Sequence, residues 1–439
     1  MSEVQVSPPL QTPKKRIESI DAFRGFTIFA MIFVIMVAGY KHLPLTFPHF
    51  NSAPVSTFKH AAEDGEPEEW AFWEGKNPSA KYREAQIQRK INNKFYDVSL
   101  LDEKGSKGKI FDNVRVVHAK PLYKGDKIIA IARDKGETPE FRGIGNGLTF
   151  TDWVAPFFVF IVGLCIPLSK QRRGAEWWKH VGYRTLGLII AGVIYISLIL
   201  KTSYWWGILQ AIGVSYFMGA AFMKLSAWKR WIAVAVIALI HGFMSWHFSW
   251  WLELGEKGRG FLTVANPLGD PLRPLIVHCT PWASISYGLI TVAGTLLGDA
   301  VVTRDPKKII RQCLLLGVVF CGIGYLLHLY QAPMNKDYVS PSYSIFTSGF
   351  AAFCFLAFYL VIDVWGIRFW AWPLNVYGSN ALLAYFMQPV VRIFLMALGF
   401  YGFFGGLSGW YGMWGGFLWT MLLWCVVLWC NKKNIYWKL

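Results

Sequence analysis

The sequence predicts an all-α polytopic membrane protein of about ten transmembrane helices, with a small α+β extracytoplasmic insert between the first helix and the second. Three observations predict this fold class. Hydrophobic residues make up 54% of the 439 residues and charged residues only 16%, whereas a soluble domain usually carries about a quarter charged residues. Long stretches carry no charge, and Lys and Arg cluster in short runs between them. One long polar segment follows the first apolar run.

Apolar runs of roughly twenty residues can cross the hydrocarbon core as helices. Such runs lie at about 22–40, 150–168, 183–200, 205–223, 231–248, 283–302, 312–330, 343–363, 375–399 and 411–430. Basic residues concentrate in alternate connections, which the positive-inside rule makes cytoplasmic together with both termini. The predicted organisation is a cytoplasmic tail over 1–20, a first transmembrane helix over 21–40, the insert over 41–148, helices two to ten over 149–430, and a cytoplasmic tail over 431–439.

The insert is too long and polar for its lysines to count in the orientation rule. Its stretch 78–94 is expected to form a surface helix. From 95 to 134, apolar and polar residues alternate in three runs separated by EKGSKG and YKGD, a pattern typical of β-hairpins. We therefore expect a small α+β domain or an extended β cap on the outer side, with a disordered linker as the alternative.

The composition excludes several classes of function. The net charge of +17 could indicate nucleic acid, but the basic residues lie where membrane loops are expected, so no nucleic-acid partner is predicted. The seven cysteines form no CxxC or Cys/His cluster with metal-ligand spacing, so no metal is expected. No GxSxG, Walker A, HExxH or Rossmann glycine pattern is present. The N-terminal region does not resemble a cleavable signal peptide.

Polar residues at or within the predicted spans are functional candidates, because charges in lipid are costly. Asp21 and Arg24 open the first span and Asp152 opens the second. A local ion pair explains Asp21 and Arg24 equally well, and Asp152 could be a cap at the interface. Gln210 and Asn380 are uncharged polar residues within later spans, for which a helix–helix hydrogen bond is the alternative explanation.

Two motifs make the sequence more specific. RIESIDAFRGFTIFAMIFV (16–34) and NGLTFTDWVAPFFVFIVGLCIPLSKQRRG (146–174) resemble the first two core helices of the heparan-α-glucosaminide N-acetyltransferase family, which includes bacterial relatives with the DUF5009 domain. Further similar stretches follow in order: WGILQAIGVSYF (206–217), SPSYSIFTSGFAAFCFLAFYLVIDVWG (340–366) and VYGSNALLAY (376–385). The resemblance covers most of the membrane part and leaves out residues 62–145.

The resemblance implies an enzyme, an acetyl-CoA-dependent N- or O-acetyltransferase. It would move the acetyl group from cytoplasmic acetyl-CoA to an extracytoplasmic amino sugar or related glycan. The location it implies is the bacterial inner membrane, as a multi-pass protein in the lipid bilayer. A homodimer is left open.

The family's histidine lies in a pattern like Lys-His-Ala just before Asn-Gly-Leu-Thr. Here Phe58-Lys59-His60-Ala61 matches the first half and Asn146-Gly147-Leu148-Thr149 the second, so His60 inherits the catalytic role if the insert splits the motif. An ungapped alignment backwards from Asn146 places Arg142 at that position instead. The asparagine that human-type enzymes carry at the outer end of the first helix falls near Ile35 or Met36, which are apolar.

The resemblance also implies roles for the other candidate residues. Asp152 would orient the His60 imidazole as a second catalytic residue, and Arg24, Arg172 and Arg173 would contact the CoA phosphates. The positive-inside signal alone is the alternative explanation for this basic run. The candidates for substrate binding are Asp21, Asn146, Gln210 and Asn380.

Two other functions stay open. One is a transporter for an amino sugar or another small molecule, which broken helices and internal repeats would favour. The other is a non-catalytic membrane relative whose outer domain binds a partner. Polar groups gather near helix ends rather than at mid-membrane, and this favours the enzyme.

Overall fold

The computed structural model describes residues 17–37, 148–195, 206–247, 283–330, 334, 336, 339–399, 407 and 409–437, together with the backbone of seven short strands between residues 56 and 143. The described helices are α1 Glu18–Val37, α2 Phe150–Arg173, α3 Trp177–Ile194, α4 Ile208–Phe222, α5 Ala227–His247, α6 Ala283–Thr303, α7 Pro306–Tyr330, α8 Pro341–Tyr359, α9 Trp372–Ser379, α10 Ala381–Ala397 and α11 Gly409–Lys432. A short 3₁₀ turn, Gly174–Glu176, joins α2 to α3, and a π turn, Leu360–Val364, extends α8.

Each of the ten predicted spans overlaps one or two of these helices. Six helical stretches in the described part of the chain are long and apolar enough to cross a membrane, with Phe150–Ile194 counted as one, and Ile208–Phe222 and Ala381–Leu395 are shorter apolar helices. The helix composition therefore makes this a multi-pass membrane protein. Ten crossings and the orientation of the termini stay predictions.

The span predicted over 375–399 is not one helix. It is divided into α9 and α10 at Asn380, whose backbone leaves the helical region with φ −135° and ψ 44°. The side chain of Asn380 bonds the segment that follows α11, and this long-range contact stabilises the break.

The insert contains short antiparallel strands: β1 Ser56–Ala61, β2 Pro67–Phe72, β3 Gln86–Ile91, β4 Lys94–Asp97, β5 Val114–Val117, β6 Ile128–Ile131 and β7 Glu140–Gly143. β1 pairs with β2, β3 lies between β4 and β5, and β6 pairs with β7. The surface helix predicted over 78–94 is wrong for residues 86–91, which form β3. Pairing with strands on both sides overrides the local helical pattern. The rest of the insert lies outside the described residues, so an α+β domain stays a prediction.

Helix α2 lies at the centre of the described helices and packs against α1, α4, α6 and α8. Its apolar side chains Phe157, Phe160 and Leu164 are fully buried. At one end of α2 the Tyr343 hydroxyl of α8 donates a hydrogen bond of 2.5 Å to the Asp152 carbonyl oxygen. The neighbours of α2 are therefore fixed by apolar packing along its length and by a polar contact at one end.

Helices α1 and α9 approach each other backbone to backbone. A Cβ added to Gly25 would overlap the Leu374 carbonyl oxygen, and one added to Gly378 would overlap the Asp21 carbonyl oxygen. Because the overlapping atoms belong to helix backbones, no side-chain rotation relieves the contact. The glycines therefore set the distance between α1 and α9.

We predict that Gly25→Ala lowers the free energy of unfolding by about 1–3 kcal/mol or more, because an added methyl group forces two helix backbones apart. Thermal unfolding of the detergent-purified protein, followed by loss of the monodisperse size-exclusion peak, measures the change. Gly182→Ala is the matched control, since nothing lies within 4 Å of its added Cβ. An equal loss in both variants would show that the α1–α9 contact is not tight.

Candidate functional site

A cavity of about 610 Å³ lies between α1, α2, α3, α4 and α10. Its volume is in the range of small-molecule binding sites. One end is lined by positively charged groups and the body by apolar side chains. We call the first part the arginine end.

Four arginines form the arginine end, and they come from three helices. Arg24 belongs to α1, Arg172 and Arg173 to the last turn of α2, and Arg184 to α3. Gly174 has a positive φ of 54°, which glycine adopts without steric cost, and the 3₁₀ turn after it lets α3 return beside α2. No carboxylate is among the described residues that line the cavity. Asp21 forms an ion pair with Arg24 beside it, so four arginines against this one carboxylate give the arginine end a net positive charge.

Two of these guanidinium groups are held in place by described partners. Arg24 Nη2 forms an ion pair with Asp21 Oδ1 at 2.7 Å, and Arg24 Nε donates to the Gly378 carbonyl oxygen at 2.6 Å. The Arg184 guanidinium lies over the Tyr216 ring, 4.9 Å from its centroid. Arg184 Nε is buried and has no hydrogen-bond partner among the described residues. A buried donor of this kind is costly unless a ligand satisfies it.

The body of the cavity is apolar. Its walls include Ile28 and Met31 of α1, Phe158 and Ile161 of α2, and Leu209 of α4. Phe158 and Arg172 are 14 positions apart on one helix, so the cavity runs about 21 Å along α2. A ligand that fits this shape carries anionic groups at one end and a long, less polar portion at the other.

The cavity unites three of the predicted site residues, Arg24, Arg172 and Arg173. It also contains Arg184 and His180, which the sequence reasoning missed. Arg184 lies inside the apolar run 183–200. An ionisable residue within a predicted span is itself a sign of a functional site, and this sign could have identified Arg184. His180 is four residues before Arg184 and therefore shares its helix face.

Asp152 lies at the opposite end of α2 from the arginines. It is fully buried, and its Oδ2 accepts hydrogen bonds of 2.9 Å from the Thr149 backbone N–H and from the Thr149 hydroxyl. This is a capping box, which satisfies the donors at the start of α2. A catalytic role for Asp152 stays a prediction, and the cap gives the carboxylate a fixed position whatever that role is.

Among the described residues, the cavity lining does not include Asp21, Gln210 or Asn380. The buried Gln210 Oε1 accepts a 3.1 Å bond from the Gly207 N–H at the start of α4. Asp21 forms an ion pair with Arg24, which lines the cavity. His60 is described by its backbone alone, in β1 opposite Glu68, and Asn146 lies outside the described residues. The meeting of His60 with Asp152 therefore stays a prediction.

Asn380 connects the cavity to the segment after α11. Its Nδ2 donates to the Ile435 carbonyl oxygen at 2.8 Å and to Asn431 Oδ1 at 3.1 Å. Its Oδ1 accepts from the Trp437 backbone N–H at 3.1 Å. The amide thereby holds the segment against α9 and α10, and Trp437 becomes part of the cavity wall.

The described residues contain no group of three or more His, Cys, Asp or Glu side chains placed to hold a metal ion. The chemistry that the cavity offers lies in guanidinium groups and apolar walls. It can bind and orient an anionic ligand.

Comparisons with known proteins identify relatives of this chain. Residues 138–266 match the family described as "Heparan-alpha-glucosaminide N-acetyltransferase, catalytic". Heparan-alpha-glucosaminide N-acetyltransferase of Mus musculus is 26% identical over 328 residues, which cover 56% of this chain and 48% of that protein. The Homo sapiens protein of the same name is 25% identical over 321 residues, 55% of this chain and 47% of its own length.

This chain therefore spans about half the length of the curated relatives that it matches. The family match covers α2, α3, α4 and α5, three of which line the cavity. The resemblance seen in the sequence motifs is confirmed.

We predict that Asn380→Ala lowers the free energy of unfolding by about 1–3 kcal/mol, because the partners of a buried amide are left unsatisfied. Chemical denaturation of the detergent-purified protein, followed by tryptophan fluorescence, measures the loss. Gln171→Ala removes an exposed amide from α2 and should leave the midpoint unchanged. Equal midpoints for Asn380→Ala and the wild type would contradict the role of Asn380 as the anchor of the segment after α11.

Proposed function

We propose that this distant homologue of heparan-α-glucosaminide N-acetyltransferase is a transmembrane acyltransferase that uses acetyl-CoA as donor. The acceptor would be an amino sugar or related glycan on the opposite side of the membrane, with N- or O-acetylation as the reaction. The observation that carries the proposal is the cavity with four arginines at one end and an apolar body. The family match over residues 138–266 supports it.

The arginine end suits the nucleotide portion of the donor. CoA carries a pyrophosphate and a ribose phosphate, and guanidinium groups bind phosphate oxygens in pairs of hydrogen bonds. Arg172 and Arg173 at the end of α2 and Arg184 on α3 supply donors from two sides. The unsatisfied Nε of Arg184 favours an anion at this position.

The apolar body suits the pantetheine arm and its thioester. Residues Phe158, Ile161 and Leu209 line the part that runs from the arginine end towards the Asp152 end of α2. Asp152 is six positions beyond Phe158, about 9 Å along the helix. The donor would enter from the cytoplasm, with its acyl group towards the acceptor side.

The proposed reaction needs a base at the acceptor side. The acceptor nitrogen or hydroxyl oxygen attacks the thioester carbonyl carbon, the new C–N or C–O bond forms, and the C–S bond breaks to release CoA thiolate. The proton of the acceptor passes to His60. Alternatively, His60 carries the acetyl group transiently on its imidazole nitrogen before the acceptor takes it. Asp152 would orient the imidazole.

A transporter remains the second candidate, because the break between α9 and α10 at Asn380 is a feature of transporter helices. In this chain both the donor and the acceptor atoms of the Asn380 amide bond the segment after α11. The break therefore serves an internal contact. This observation favours acyl transfer over transport. The charged cavity favours acyl transfer over the role of a non-catalytic relative.

The proposed location is the bacterial inner membrane, with the arginine end and both termini cytoplasmic. The basic runs that the positive-inside rule assigns to the cytoplasm include Arg172 and Arg173, so the rule puts the donor site on the side where acetyl-CoA is made. The partners are the lipid bilayer and the glycan acceptor. A homodimer stays a prediction.

We predict that Arg172→Ala combined with Arg173→Ala raises the Kd for CoA at least tenfold, because each charge-assisted hydrogen bond contributes about 1.5–3 kcal/mol. Isothermal titration calorimetry in detergent measures the change. Lys308→Ala combined with Arg311→Ala removes the same charge from the exposed start of α7, outside the cavity. An equal effect of the control pair would mean that net charge, not the cavity, holds the donor.

We predict that His60→Ala lowers the rate of CoA release in the presence of a glucosamine-type acceptor about 10²–10⁴-fold, since a positioned base contributes that much. The Kd for CoA should not change, because His60 is proposed to act on the acceptor side. His118→Ala changes another histidine of the insert and serves as the control. Full activity in His60→Ala would remove His60 from the mechanism. Sugar uptake into vesicles without acetyl-CoA would favour the transporter.

A further inference from the structure

The segment after α11, residues 433–437, folds back onto the helices. Asn434 has a positive φ of 58°, a conformation that asparagine tolerates better than most residues. The Ile435 N–H then bonds the Cys430 carbonyl oxygen at 2.9 Å, which closes the end of α11. Asn431 Nδ2 bonds the Val376 carbonyl oxygen and the Ser379 hydroxyl, each at 2.9 Å. These Asn431 bonds fix the end of α11 to α9, and the Asn380 side chain at the end of α9 bonds Ile435 and Trp437 of the segment.

This fold-back brings an indole ring to the cavity. Trp437 is one of the lining residues, and its backbone N–H bonds Asn380 Oδ1. Its ring packs against Phe386 with a centroid distance of 4.5 Å, while 37% of the residue stays exposed. The anchoring therefore depends on the backbone and on the contact with Phe386, and the residue keeps accessible surface.

The position of Trp437 is beside the arginine end. Asn380, which holds its backbone, follows Gly378 and Ser379, and all three belong to the α9–α10 junction. The Gly378 carbonyl oxygen accepts the hydrogen bond from Arg24, so the junction contacts both the Arg24 guanidinium and the Trp437 backbone. An aromatic ring and phosphate-binding groups therefore share one end of the cavity.

We infer that Trp437 stacks on the nucleobase of the donor, so that the site selects a nucleotide-bearing thioester over a phosphopantetheine arm without a base. This inference rests on the proposed function. The base of CoA lies beyond the phosphates that the arginines would bind, where a flat apolar surface is needed. Stacking of a base on an aromatic side chain is frequent in nucleotide recognition, and its removal by alanine typically weakens binding about 5- to 150-fold.

A tryptophan near a membrane interface can instead anchor a helix in the headgroup region. The chain has such tryptophans on the outside of α11, among them Trp410 and Trp429, which are 69% and 56% exposed and do not line the cavity. Trp437 differs because it faces the cavity. Trp429→Ala is therefore a matched control for loss of an exposed indole.

The test compares two probes on the full-length protein in detergent, CoA and 4′-phosphopantetheine, by isothermal titration calorimetry. We expect Trp437→Ala to raise the Kd for CoA about tenfold and to leave the Kd for 4′-phosphopantetheine within twofold. Trp437→Phe, which keeps an aromatic face, should restore most of the affinity for CoA. Trp429→Ala should bind both probes like the wild type, and thermal unfolding checks that each variant is folded.

The outcomes separate this inference from the proposed function. If the wild type and Trp437→Ala bind CoA with the same affinity, the stacking role is overturned, while the proposed donor site is retained. Equal losses for both probes, or no recovery in Trp437→Phe, would also overturn it, because the residue would then act only on the shape of the cavity. A wild type that binds neither probe would overturn the proposed function and this inference together.

Discussion

The contact between α1 and α9 sets the positions of Arg24, of the helix break at Asn380 and of Trp437 in the cavity. At Gly25 and Gly378 the two backbones meet without an intervening side chain, and Arg24 bonds the Gly378 carbonyl oxygen from the same place. The next residues of α9 end the helix, and Asn380 takes hold of the segment after α11. Arg24, the helix break and Trp437 therefore depend on one distance between two helices.

The two ends of helix α2 differ in their chemistry. At its start, Asp152 and Thr149 satisfy each other in a buried capping box, and Tyr343 bonds the Asp152 carbonyl oxygen. At its last turn, Arg172 and Arg173 line a cavity that has no described carboxylate in its wall. At the start of α2 the carboxylate accepts hydrogen bonds from Thr149, whereas the arginines at its end attract anions. This asymmetry fits a protein that binds a charged donor at one side and acts at the other.

The sequence was sufficient for the helices and for part of the cavity. Apolar length predicted ten spans, each of which overlaps one or two of the described helices. The motifs over 16–34 and 146–174 contain Arg24, Arg172 and Arg173, which were predicted to bind the donor. Arg184 was missed because it lies inside an apolar run. The break at Asn380 was not predicted from the apolar run, and a bond that stabilises it joins Asn380 to Ile435, 55 positions later. The strand Gln86–Ile91 was predicted as part of a helix, whereas it pairs with β4 directly after it and with the more distant β5.

The proposed recognition by arginines, apolar walls and the indole concerns groups that the donor keeps after it has given up its acetyl group. Binding that is the same for the loaded and the spent donor does not favour turnover by itself. Under the proposed function, free CoA would therefore occupy the cavity about as well as acetyl-CoA. The rate of acetylation on the far side of the membrane would then follow the acetylated fraction of the cytoplasmic CoA pool rather than the concentration of acetyl-CoA alone.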